Sequence, residues 1–374
     1  MIFDLVLKGG RVLDPSQGFD AVTDIAFHDG RVAATGAGLE GRTTKDVTGR
    51  IVTPGLIDLH THVYWGGTSL GVDPLRLARG GCATLVDTGS AGPGNYAGFL
   101  DHVIRPSPVR IVAFLNVSFA GIYAFSTRVM VGESGDLRLM APIDAVEVAR
   151  ANRDTIVGIK VRVGLHASQN SGIIPLDIAK QVAIEAGLPM MVHIDHPPPT
   201  LEEVLARMRP GDILTHSFRP FPNSPSTADG AVRDEVIAAR NRGVLFDIGH
   251  GMGSFAFKTA RAMLDSGFFP DSISSDVHAL CIDGPAFDLL TTMSKFLCLG
   301  MPLMEVVLAA TEAPAKAIRR PELGVLRQGA VGDASILALE TGAFEYVDST
   351  GERMTGDRRL VARGLVLNGQ WWSG

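Results

Sequence analysis

Cysteine is scarce in this chain. Cys82, Cys281 and Cys298 stand far apart and lack metal-type spacing, so they read as reduced core thiols and exclude a disulfide framework. Lysine is scarce too, at 7 against 27 arginines, so a lysine inside an apolar segment is conspicuous. No uncharged apolar run approaches the ~18 residues a membrane helix needs. The N-terminus has no basic segment followed by an apolar core, so neither a membrane span nor a signal peptide is expected. The net charge of −6 comes with no basic run and no interleaving of aromatic with basic residues, which argues against nucleic acid. Gly249-His250-Gly251-Met252-Gly253 lacks the Gly-Lys-Ser/Thr of a phosphate loop, and its glycines read as letting backbone approach a site. Internal repeats and low-complexity segments are missing as well. What is left is an ordinary globular composition, 46% hydrophobic and 20% charged, long enough for one large domain with a small one attached, with a cytoplasmic location as the default.

Residues 2–52 read as short strands separated by glycine turns. Leu5-Val6-Leu7 runs to Gly9-Gly10, and Arg11-Val12-Leu13 to Asp14-Pro15. Ile25-Ala26-Phe27 is followed by Asp29-Gly30, a strong hairpin signal between alternating runs. From residue 55 apolar strands alternate with helical spacing. Eight strands are expected, at 56–62, 83–88, 110–118, 156–163, 189–194, 212–217, 244–248 and 272–278. Helices are expected at 175–186, 232–242 and 255–266, each followed by glycine, with a long helical region at 302–318. Eight such units make a (β/α)8 TIM barrel the economical fold; a doubly wound open sheet is the runner-up. Ala334–Leu339 and Leu360–Leu367 read as strands, with Gly364 and Asn368-Gly369 as turns, expected to pair with the N-terminal strands. A small discontinuous β-sandwich domain, 1–53 with 325–374, would then flank a barrel at 54–324. The Pro-, Ser- and Asn-rich 219–230 reads as an irregular loop.

The chemistry concentrates where a barrel active site forms, at the carboxyl ends of the strands. His60-Thr61-His62 ends an apolar run. Two apart on a strand, both imidazoles share a face with Cα atoms roughly 6.6 Å apart, close enough to converge on one ion. Of ten histidines, His60, His62, His193, His216, His250 and His278 lie at or just past strand ends. Lys160 sits inside Val157-Gly-Ile-Lys-Val161, where a buried ammonium is costly. It reads either as a surface-facing lysine or as one neutral enough to form a carbamate bridging two metals. Asp276 follows two serines at the end of the last strand, as a site carboxylate or a turn residue.

These residues resemble the amidohydrolase superfamily over nearly the whole chain. The resemblance is carried by Pro54–His62, Gly158-Ile-Lys-Val-Arg162, Met191-Val-His193, Thr215-His216 and Ser274-Ser-Asp-Val-His278. Phe246–Gly251 and Thr291–Lys295 are similar to its deacetylase-like, dihydroorotase-related group. The resemblance implies two divalent metal ions, most simply zinc. His60 and His62 would bind the inner ion with Asp276, carboxylated Lys160 would bridge, and His193 and His216 would bind the outer ion. A shared hydroxide would attack an ester or amide carbonyl, with Asp276 as general acid/base. Arg162 could grip a substrate carboxylate or pair with a neighbouring loop. His250 and His278 could touch substrate or steady the ligands. Tyr64 and Trp65 could line the pocket or pack under a loop. The expected activity is removal of an acyl group, acetyl foremost, from a small carboxylate-bearing substrate such as an N-acyl amino acid or acylated hydroxy acid. Ring opening of a dihydroorotate- or hydantoin-like substrate is the enzymatic alternative, and a non-catalytic scaffold the other. The expected partner is a small molecule, with self-association left open.

Overall fold

The strand that leads into the two histidines, carrying His60 with His62 just past its end, grows directly out of a seam between the chain's two ends. In the computed structural model, which describes residues 2–373, Ile51–Pro54 lies parallel to Ile2–Asp14 and antiparallel to Ala334–Val347. The chain passes Gly55, where a Cβ would lie 2.7 Å from both Ala83 and Asp333 side chains, and enters the first barrel strand, Leu56–Thr61. Both ends of the chain thus contribute to one mixed eight-stranded sheet, beside the barrel that receives the middle. Its core is a separate cluster including Leu5, Leu7, Ile25, Phe27, Val52, Ile336 and Val366.

Two turns in this sheet follow from Asp-Gly and Asn-Gly chemistry. Asp29 and Gly30 both have positive φ, 50° and 74°, as do Asn368 and Gly369, 48° and 73°. That geometry matches the right-handed twist of the flanking strands in a two-residue hairpin. Two other expected turns are corrected. Gly9-Gly10 is a bulge inside the single strand Ile2–Asp14, where the pairing register shifts. Gly364 lies within Arg353–Leu367, where the Trp371 ring occupies the space a side chain would fill.

The barrel strands are Leu56–Thr61, Cys82–Thr88, Arg110–Asn116, Ile156–Val163, Met190–Ile194, Ile213–Leu214 and Leu245–Phe246, parallel and paired in chain order. The expected eighth strand closes the barrel as two parallel bridges, Asp247 to Ser272 and Thr61 to Val277. It forms no regular ladder because Asp276 adopts φ 49° in its middle. The sixth strand is also shorter than expected, since His216 turns out of the ladder at φ 62°. Val86, Val112, Phe114, Met191 and Ile213 fill the barrel in one buried cluster. Gly158 is required there, because a Cβ would lie 2.0 Å from the Phe114 ring.

Helices Ile174–Ala186, Asp234–Asn241 and Phe257–Asp265 lie where the apolar spacing expects them. The long helical region does not run through. It breaks into Leu303–Leu308 and Glu312–Ala317, and the carbonyls of Ala309 and Ala310 accept from Ile273 and Ile57 of the barrel at 2.8 Å. Leu289–Cys298 is a further helix, capped by Asp288 accepting from Thr291 N. No helix among the described residues is long and apolar enough to cross a membrane.

Candidate metal centre

Six side chains from five strand ends converge at the mouth of the barrel. His60 Nε2 lies 3.3 Å from Asp276 Oδ1 and 3.4 Å from Lys160 Nζ, and His62 Nε2 lies 3.2 Å from the same Asp276 oxygen. The His60 and His216 rings are 5.1 Å apart, and those of His193 and His216 4.5 Å. Nitrogen and oxygen ligands at ~2.0–2.1 Å in a tetrahedron stand roughly 3.3 Å apart, so the His60, His62 and Asp276 atoms are spaced as one ion requires. The donor set of imidazole and carboxylate suits such an ion.

Each imidazole's free nitrogen is dictated by what the other one touches. His216 Nδ1 lies 2.7 Å from the Gly249 carbonyl, which only accepts, so Nδ1 carries the proton and Nε2 a lone pair. His60 Nδ1 meets Thr215 Oγ1 at 2.8 Å, and that hydroxyl donates to Asp247 at 2.7 Å. Asp247 also accepts from Ser272 and Ser274, so this buried carboxylate is fully hydrogen-bonded. His62 Nδ1 bonds Ser90 Oγ at 2.9 Å. His193 differs: its Nε2 faces Asp195 at 3.9 Å. Burial holds His60, His193 and His216 well below the ordinary imidazole value and His62 at about 3, so all four are neutral donors.

Glycines create the room. A Cβ at Gly249 would lie 2.3 Å from Thr215 Oγ1, and one at Gly251 2.2 Å from Asp276 Oδ2; both have positive φ. The expected close approach of this segment is therefore real. Lys160 is fully buried, which removes the surface-lysine reading, and burial draws its amine down to about 7. Asp58 knits the first strand to the closing segment, accepting from Ser275 N and Oγ. Burial pushes Asp276 up to about 6.

The residues expected to touch substrate fare less evenly. His278 lines the cavity of about 230 Å³ above the cluster and packs edge-on to Phe125. Arg162 also lines it, but Glu133 fills its guanidinium fork, at 2.9 Å to Nε and 2.8 Å to Nη2, so it takes the loop partner. Tyr64 does not line the cavity. The chain is turned after His62 by Val63 N donating to Asp87, and Tyr64 packs on Phe99 while its hydroxyl donates to Asn95 O. Trp65 is exposed. His250 does not line it either: it stacks on Phe255, and its Nε2 lies 2.7 Å from the Lys295 ammonium.

Sequence reasoning missed Arg219, which stands three residues past His216 and lines the cavity while 4% exposed. Its Nη1 donates to Ile194 O, its Nε is buried without an acceptor, and among the described residues no carboxylate pairs with it. Its place just beyond a strand-end histidine was the available signal. Glu133, His166, Asp195 and His196 were also missed, because they lie in loops without periodicity.

No family model matches the chain. A deacetylase of Brucella anthropi is 36% identical over 356 residues, covering 94% of this chain and 88% of the relative. A solved structure described as a dihydroorotase is 34% identical, with a TM-score of 0.89 over 98% of this chain and 97% of its own. Another, described as an adenine deaminase, is 30% identical, with a TM-score of 0.92 over all of both chains. With identity of this order sustained from end to end, and the same barrel beneath it, the chain belongs to the amidohydrolase superfamily of hydrolases.

Proposed function

We propose that this hydrolase removes an acyl group, acetyl foremost, from a small carboxylate-bearing substrate such as an N-acyl amino acid or an acylated hydroxy acid. The observation that carries it is the convergence of His60, His62, Lys160, His193, His216 and Asp276 under a cavity with an unpaired arginine in its wall. His60, His62 and Asp276 would hold one divalent ion, zinc by donor type, and His193 and His216 a second, with carboxylated Lys160 between them. Ions so held supply Lewis acidity and a nucleophile ionised near neutral pH. The catalytic unit is 54–324, and 1–53 with 325–374 form the supporting domain.

The chain's own groups do the rest. Asp276, in the cavity wall beside His60 and His62, is poised to take a proton from the attacking water and return it to the leaving group. Arg219 would anchor the substrate carboxylate, since its fork lacks the partner that Arg162 already has. Leu70, Ile122 and Phe125 give the cavity an apolar wall that shelters the reacting carbonyl.

The likeness to a structure described as a dihydroorotase supports a second reading, opening of a cyclic amide. A panel of N-acetyl amino acids, O-acetyl hydroxy acids and cyclic amides of both hands, offered to zinc-loaded protein, separates the two. Acetate release supports deacylation; turnover of the rings alone replaces it with ring opening.

A further inference from the structure

Outside the six converging residues, a second group of metal-type ligands sits at the rim of the cavity. His166 follows the fourth barrel strand, and Asp195 and His196 follow the fifth. One ligand atom from each lies within 4.8 Å of the others, and the two imidazole rings stand 5.3 Å apart at 73°. Both histidines are exposed, and no protein atom bonds their ring nitrogens among the described residues.

The backbone beneath these ligands is tied together. Asp195 Oδ1 accepts from His166 N at 3.2 Å and Oδ2 from Ala167 N at 3.0 Å. Leu165 N donates to His196 O at 2.7 Å, and Asp195 N to Val163 O at 3.1 Å. Gly164, at φ 137°, permits this, since a Cβ would lie 2.2 Å from the Asp195 carboxyl. Asn223 Nδ2 holds the Asp195 carbonyl from a third loop at 2.8 Å. The two loops therefore present their ligands from fixed backbone positions, and only the exposed imidazoles need to rotate.

We propose that His166, Asp195 and His196 form a separate rim site for a further divalent cation of the zinc class, and that its occupancy obstructs the cavity. Two imidazoles and a carboxylate are a three-ligand zinc set with one open position. Ligands now up to 4.8 Å apart must close by up to roughly 1.5 Å to reach tetrahedral spacing. That movement, and exposure to water, make the rim site weaker than the buried one. The carboxylate keeps two lone pairs beyond its backbone bonds, so binding does not undo the tie between the loops.

The test is metal uptake by intact, metal-loaded protein at rising free zinc, by equilibrium dialysis, for the wild type and a His166→Ala/His196→Ala variant. Both histidines are exposed, so the fold should survive, which a thermal melt checks. The wild type should take up one more equivalent of zinc, at micromolar free metal, while the variant retains only the tightly held metal. Cobalt(II) should report the same difference as an added visible absorption. Equal uptake by both proteins overturns the site. On whichever substrate the wild type turns over, activity should fall as the extra equivalent binds and stay flat in the variant; undiminished activity at full uptake overturns the obstruction. Because uptake is counted without turnover, failure of the deacylase reading leaves this result intact.

Discussion

Thr215 donates its hydroxyl to Asp247 across 2.7 Å and is thereby left to accept from His60 Nδ1 at 2.8 Å. Two residues outside the cluster thus fix which nitrogen His60 offers to it. Such outer partners commonly carry 10–100-fold in metal affinity. Thr215→Val keeps the shape and removes the relay. Metal should be lost to a chelator about 10–100-fold more readily, with little change in secondary structure by circular dichroism. Unchanged metal retention would show that the relay does not steady His60.

Lys160 is enclosed on every side, and Gly89 is part of the enclosure: a Cβ there would lie 2.6 Å from Lys160 Cγ. With its amine drawn down to about 7, a substantial share is neutral at physiological pH, the form that reacts with carbon dioxide. Lys160→Ala should lower metal content below that of the wild type, and short carboxylic acids should restore part of both metal and activity. Elemental analysis showing full metal in the variant would rule out the bridging role.

How legible this was depends on how local each cause is. The strand-end residues could be read because a polar group ending an apolar run is a local anomaly, and the two hairpins because Asp-Gly and Asn-Gly settle their own backbone. Gly9-Gly10 has the same composition as a turn, yet pairing with two neighbouring strands turns it into a bulge. The break at Ala309–Ala310 comes from barrel amides more than thirty residues away in sequence competing for its carbonyls. Arg162 was ambiguous for a similar reason: Glu133, which fills its fork, sits 29 residues earlier in a loop with no pattern. Tyr64 and His250 followed the right strands, but the side of the loop that each occupies is set by Asp87 and Lys295, partners that no spacing reveals.

Asp276→Asn leaves an oxygen near His60 and His62 but removes the proton carrier. Much of the metal should remain while kcat falls by about 10²–10⁴, the usual contribution of a positioned acid/base. Steady-state kinetics with metal analysis on the same sample checks this, and near-normal kcat would take the role away from Asp276.

The buried imidazoles make the protein acid-labile. Burial lowers His278 to about 4, while an unfolded histidine titrates near 6.5, so between those values the unfolded chain holds the extra proton. Stability therefore falls as pH drops through that window, by about 1.4 kcal/mol per unit for one group. Denaturant melts of metal-free protein between pH 4 and 7 should show a slope shallower by about one proton in His278→Gln. Parallel slopes would mean His278 is already charged in the folded state.

Arg219 and Arg162 share one cavity wall, and only one has its fork filled. Removing an unpaired buried cation should cost little stability and can raise it, because its desolvation is relieved. Its loss should instead appear in recognition of charge. Arg219→Met should lower kcat/KM about 10²-fold or more for an acylated acid, the loss of a charge-assisted pair of bonds, while the matching neutral amide changes little. Arg219→Lys should recover only part, since an ammonium lacks the planar fork. An equal fall on acid and amide would mean that Arg219 supports the loop rather than gripping the carboxylate; the ratio of the two kcat/KM values, measured beside a melting temperature that has not fallen, separates these outcomes.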